Sequence, residues 1–228
     1  GLQNIDLPQM PAGTEEQILH RKGYVTSYNK ANRIPNWVAW ELTAEHTEGT
    51  IKRPGTAFHE DYDVPTPRAT FHDYRKSGWS RGHMCPAGDN RWDEEAMYES
   101  FLLTNCCPQN GRLNGGDWNQ IEMLCRRWAK KYGAVTIVCG PILFRQQHET
   151  IGRNKVVVPE AFFKVVVTLG DRPRGIGFIC RNSDGELKKD QYVNSISQVE
   201  RVTGITFFPN LPQDVSRKIK TTADLRQW

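Results

Sequence analysis

Between residues 81 and 126 stand Arg81, His83, Asn105, Asn114, Glu122 and Arg126, the side-chain types that phosphodiester hydrolysis demands. A water must lose its proton near neutral pH, and histidine is the side chain suited to take it. Charge on the phosphate and on the leaving oxygen must be offset by a hard cation or by arginines. Magnesium keeps most of its waters and takes few protein ligands, all oxygen; manganese suits the same donors. Asn114 sits in Asn114-Gly115-Gly116, a turn ahead of a helix expected from about Asp117, and Glu122 lies on that helix. On an ideal helix, eight residues separate two side chains by about 80° of rotation and up to about 12 Å of rise. That is too far for both to grip one ion. The spacing suits Asn114 as a direct ligand and Glu122 as an acid acting through a water in the ion's shell. Arg126 follows Glu122 by one turn on the same face.

Each feature alone has a plainer explanation. A Gly-His pair is usually a turn beside a surface histidine, and Asn-Gly-Gly is a common helix entrance. Glu122 and Arg126 at i,i+4 form a solvated pair worth a few tenths of a kcal/mol. Their joint order is what carries information. Arg81-Gly82-His83, then Asn105-Cys106-Cys107-Pro108-Gln109, then Asn114, Trp118 and Glu122 resemble the signature of the DNA/RNA non-specific endonucleases, the sugar-nonspecific, endonuclease G-like ββα-metal nucleases. The likeness runs from about residue 20 to 210. It takes in Arg33-Ile34-Pro35-Asn36-Trp37, Cys139-Gly140-Pro141-Ile142 and Glu200-Arg201-Val202-Thr203-Gly204.

By position, the resemblance implies His83 as general base, Asn114 as the direct magnesium ligand and Glu122 as holder of metal-bound water. Arg81 and Arg126 match phosphate-contacting arginines, Asn105 an active-site asparagine, and Arg53 a further phosphate contact in looser context. It implies hydrolysis of DNA and RNA to 5′-phosphate ends. One departure stands out: the family's aspartate before Arg-Gly-His is Ser80 here. Serine replaces some of that acid's hydrogen bonds but not its charge.

The elements that must position these residues are legible in part. Strands are expected between Tyr24 and Leu42, broken near Arg33-Ile34-Pro35, and residues 44–70 read as a long, proline-punctuated loop. Helical material at 93–99 precedes an apolar strand at 101–104. Trp118, Ile121, Leu124, Cys125 and Trp128 recur at steps of three and four, predicting a helix over 117–132. Strands follow at 134–139, 155–158, 162–169 and 175–180. A helix over 195–202 ends at Gly204. The expected architecture is α+β, a single domain over 1–228 with a mostly antiparallel central sheet flanked by helices, and residues 1–13 as a surface arm.

The 228 residues suffice to bury a substantial core, and 38% hydrophobic with 25% charged residues suits a globular chain. Lys+Arg 30 against Asp+Glu 26 gives a net charge of +4, which permits a polyanionic substrate without demanding one. No apolar run approaches the roughly 20 residues of a membrane span, so no membrane partner is expected. Six cysteines leave disulfides open, although Cys139 and Cys180 sit in strand-like apolar contexts that favour buried free thiols. No leader pattern is read at the start. Because an indiscriminate nuclease endangers a cytoplasm, the expectation is export, to periplasm or medium.

Two rival readings remain. The chain could bind nucleic acid on this fold with weak or lost catalysis. Alternatively, Gly78-Trp79-Ser80-Arg81-Gly82 spells a nucleophile elbow with Ser80 as the attacking group. That motif needs a helix immediately after it, and Pro86, Gly88 and Asn90 make poor helix material. Oligomeric state is not readable.

Overall fold

Alternation along two central strands sets the architecture. Val38, Trp40 and Leu42 face one side while Trp37 and Ala39 face the other; Phe162 and Val166 likewise oppose Phe163, Val165 and Val167. Successive strand residues point to opposite faces, so two apolar sets on one strand require a cover on each face. The computed structural model describes residues 5–55 and 58–228 and provides both covers.

In chain order the first elements are β1 (Gln17–His20), β2 (Val25–Asn29), β3 (Ile34–Thr43), α1 (Phe71–Tyr74), β4 (Ser80–His83) and α2 (Glu94–Ser100). Then come β5 (Cys106–Gln109), α3 (Gly111–Gly115), α4 (Asp117–Tyr132) and β6 (Ala134–Ile142). The chain continues through β7 (Thr150–Ile151), β8 (Val156–Val157), β9 (Ala161–Thr168) and β10 (Arg174–Arg181), and closes with β11 (Val193–Asn194), α5 (Ile196–Thr203) and α6 (Gln213–Thr221). Seven strands form one sheet in the order β1-β2-β3-β6-β9-β10-β11, every neighbouring pair antiparallel. One face packs on Trp118, Ile121, Cys125 and Trp128 of α4. The other packs on Ile196 and Val199 of α5 and Ile219 of α6. With both faces covered, β9 is buried from end to end.

The expected antiparallel sheet flanked by helices is therefore present. A separate antiparallel pair, β4 with β5, leads into α4 and supplies the ββα unit. Three local expectations are corrected. Residues 101–104 do not form a strand: Phe101 caps α2, and Leu103–Asn105 make a 3-10 turn. An apolar run this short does not distinguish a strand from a buried turn; these side chains pack inward, and only an isolated bridge from Leu102 to His59 pairs the segment. The span 155–158 keeps only the two-residue β8, paired with β7. Asn114 lies in the short helix α3, with its side-chain cap on Asn110, not in an open turn. The stretch Ser80–His83 is a strand, and α6 was not foreseen.

Residues 1–4 of the expected arm lie outside the described residues. In the rest of it, Ile5, Leu7 and Met10 turn inward onto the second core, and Gln9 bridges to Thr206. All six cysteines are free and buried. Among the described residues no helix is long and apolar enough to cross a membrane.

Candidate active site

β4 and β5 hold the first part of the site. His83 pairs with Cys106 and Gly82 with Cys107. Gly82 is required by close approach: a Cβ there would lie 2.3 Å from the Gln109 Oε1. The His83 ring packs edge-on against Phe101, centroids 4.6 Å apart, and against Phe58 at 5.0 Å. Its Nε2 is buried without a hydrogen-bond partner. Burial, helped by the charge of Arg53, pushes the imidazole down to about 3, so the ring is neutral at physiological pH.

Helix α4 supplies the second part. Asp117 in its first turn and Lys130 and Lys131 in its last complement the helix dipole, and Gly133 at φ 89° ends it. The apolar stripe seats α4 on the sheet and carries Glu122 inward with it. The Glu122 carboxyl makes no hydrogen bond to the described residues, and burial pushes it up to about 7, against the opposing pull of Lys164 and Arg126. Lys164 shares the α4-facing register of β9 with Phe162 and Val166. Its ammonium is fully buried over the Trp118 ring at 4.6 Å. Burial pulls its pKa down, but the surrounding charges, Glu122 foremost with Cys139, Cys125 and Asp89, together outweigh that and raise it.

Arg126, one turn beyond Glu122, donates from Nε to Asp89 at 2.8 Å, and the other Asp89 oxygen accepts from the Trp40 indole at 3.0 Å. The guanidinium lies against Gly88, where a Cβ would come within 2.3 Å of Nη2. Arg81 donates to the Phe71 carbonyl at 2.9 Å and rests 3.9 Å above the Phe71 ring.

These side chains meet in one cleft of about 620 Å³, lined by Lys52, Arg53, Arg81, Arg91 and Arg126 and by a single carboxylate, Glu122, together with His83, Asn114 and Asn119. Five cations against one acid make the cleft a receptor for an anion. Of the residues singled out by sequence, six line it: Arg53, Arg81, His83, Asn114, Glu122 and Arg126. Asn105 does not. Its Oδ1 accepts from the Cys85 amide at 3.0 Å, and its Nδ2 donates to the Cys85 and Ser100 carbonyls at 2.9 and 2.8 Å. Fully buried and fully engaged with backbone, Asn105 braces the chain just after His83.

Sequence reasoning missed Lys52, Arg91, Asn119, Asp89 and Lys164. The last had a readable signal: a lysine inside the apolar run 161–168 must find a partner charge. Asp89 also had one, being an acid that follows the Gly-His segment in a buried loop.

The donor set suits a hard cation. Asn114, Asn119 and Glu122 offer oxygen within the same cleft. Among the described residues no three His, Cys, Asp or Glu converge as a closed zinc cage requires. Ser80 lies within strand β4, which runs on to His83 with no helix behind it, so the nucleophile-elbow context is missing.

A family model described as DNA/RNA non-specific endonuclease matches residues 3–214. The chain is 37% identical over 213 residues to a Xenopus laevis protein named Nuclease EXOG, mitochondrial, covering 86% of this chain and 59% of that one. It is 32% identical over 209 residues to Endonuclease G, mitochondrial, of Bos taurus, covering 86% and 70%. It is 36% identical over 220 residues to Nuclease C1 of Cunninghamella echinulata, covering 90% and 86%. A crystal structure of an EndoG/EndoGI complex superposes with a TM-score of 0.84 at 30% identity, with 92% of each chain covered. The chain spans 58 to 60% of the length of the EXOG relatives it matches. The expectation of export is overturned: the EXOG and endonuclease G relatives, and a Saccharomyces cerevisiae relative, are all named mitochondrial. On the match across residues 3–214 and on these identities, the chain belongs to the DNA/RNA non-specific endonuclease family.

Proposed function

We propose that this chain is a magnesium-dependent endonuclease that cuts DNA and RNA with little regard to sequence and works in mitochondria. The observation that carries the reading is the unpartnered His83 Nε2 in a cleft lined by five cations and one carboxylate. His83 takes the proton of an attacking water. Its depressed basicity belongs to the cleft without substrate; a phosphodiester anion bound beside it stabilises the imidazolium and raises its pKa toward neutrality. Arg81 and Arg126, each with a fixed guanidinium, and the exposed Arg53 bind phosphate oxygens. Asn114 and Glu122 would hold the magnesium, Asn114 directly and Glu122 through water; manganese is compatible with the same donors. The bound cation would offset charge on the phosphate and the leaving oxygen. Products carry 5′-phosphate and 3′-hydroxyl ends.

Weak sequence preference follows from what the cleft offers. Phosphates are alike at every step and carry no sequence information directly, and His83 needs no 2′-hydroxyl to activate water. The mitochondrial assignment rests on the names of the relatives. End-labelled duplex DNA, single-stranded DNA and RNA digested in parallel with magnesium test the chemistry. The expected result is a broad ladder from all three with 5′-phosphate ends. A few discrete bands from long duplex, or 2′,3′-cyclic phosphate on RNA, would overturn it.

A further inference from the structure

A second groove, of about 580 Å³, adjoins the cleft and shares Arg53, Arg81 and Asn114 with it. Its far wall is built from Phe71, Arg75, Lys76 and Trp79, and among the described residues no carboxylate lines it. We infer that this groove is a binding track for a single nucleic-acid strand leaving the cleft, with Phe71 as a base-stacking platform and Arg75 and Lys76 as phosphate contacts. The inference deepens the nuclease reading and rests on it.

Four observations converge. Phe71 is 46% exposed although it is a large apolar side chain. It is also held in place: the Thr70 hydroxyl and Asp73 form a capping box at α1, and Asp73 accepts from the Asn154 amide at 3.0 Å and from Nδ2 at 2.8 Å. Arg75 and Lys76 are exposed, and among the described residues neither is paired with a carboxylate. Lys76 adopts a left-handed backbone at φ 58°, which glycine or asparagine would hold at lower cost, and this places its side chain on the groove wall. Unpaired cations interleaved with a rigid exposed aromatic form the surface that single strands use, the cations following phosphates and the ring receiving a base. In a duplex both faces of each base are covered by its neighbours. A duplex therefore gains nothing from Phe71 unless an end frays.

The test is binding by His83→Ala protein, in which cleavage is suppressed, of a roughly 12-nucleotide labelled single strand and of a duplex of the same sequence. Fluorescence anisotropy at one salt concentration gives both affinities, and thermal melts verify that each variant folds. Adding Phe71→Leu should lower the ratio of single-strand to duplex affinity about tenfold, the scale of one lost base stack, and Arg75→Ala with Lys76→Ala should lower it in the same direction through lost phosphate contacts. Phe71→Tyr, which keeps a stacking ring, should restore the ratio. An unchanged ratio in the folded Arg75/Lys76 and Phe71→Leu variants would overturn the inference while leaving the cleft's reading intact. Failure of the His83→Ala protein to bind either nucleic acid would overturn the nuclease reading itself.

Discussion

At the scale of single residues, His83 and Glu122 are perturbed in opposite directions by the same cause, burial beside the cleft. His83→Ala should lower the cleavage rate by at least ~10²-fold, the scale of general-base catalysis, with magnesium affinity little changed. A variant within threefold of wild type would remove His83 from the mechanism. The pair also leaves a mark on stability. Between pH 6.5 and about 3, an unfolded histidine binds a proton that folded His83 refuses, so acidification in that window favours unfolding. Between pH 4.5 and about 7, folded Glu122 keeps a proton that the unfolded chain has released, so its contribution is lost as pH rises through about 7. From 4.5 to 6.5 the two slopes oppose each other. Urea denaturation in EDTA should therefore find Glu122→Gln losing stability, relative to wild type, as pH falls from about 7 to 4.5. His83→Ala should lose stability, relative to wild type, as pH rises from about 3 to 6.5. Parallel pH profiles for all three proteins would contradict the assigned environments.

At the scale of elements, two braces connect the site to its scaffold. Asn105 ties the chain just after β4, at Cys85, to the end of α2, at Ser100, through three side-chain hydrogen bonds to backbone. Asn105→Ala leaves those buried groups unpaired and should cost about 2–4 kcal/mol of stability, seen as a lower denaturation midpoint. Loss of activity with an unchanged midpoint would return Asn105 to the substrate. Asp89 fixes Arg126 from α4 to the loop after β4. Asp89→Asn should raise KM more than it lowers kcat, because Arg126 then holds phosphate from a less defined position; a fall in kcat alone would place Asp89 nearer the chemistry. The α4 helix was legible from its apolar stripe, as were the strands with β-branched runs. The β4–β5 pair was not, because Gly82 and Pro108 carry no strand signature and the partners lie more than twenty residues apart in sequence. Asn105 was identified as important on its motif, but a motif does not say which way a side chain points, and this one points into the backbone. Lys164 and Asp89 were missed because each acts through a partner that only the folded chain brings near.

At the scale of the whole molecule, a net charge of +4 looks unremarkable, yet the fold gathers five cations around one acid. Composition did not reveal that concentration, since charges elsewhere on the surface offset one another. Affinity for duplex DNA should fall steeply with salt. If all five cations meet phosphates, the slope of log affinity against log salt approaches roughly −4 to −5; a slope near zero would mean the cleft does not face a polyanion. The most direct measurement of the central claim is digestion of supercoiled plasmid by the wild-type chain and by His83→Ala, each with magnesium and with EDTA. The account predicts conversion to nicked, linear and then fragmented DNA only for wild type with magnesium. Equal cleavage in EDTA, or cleavage by His83→Ala at the wild-type rate, would contradict it.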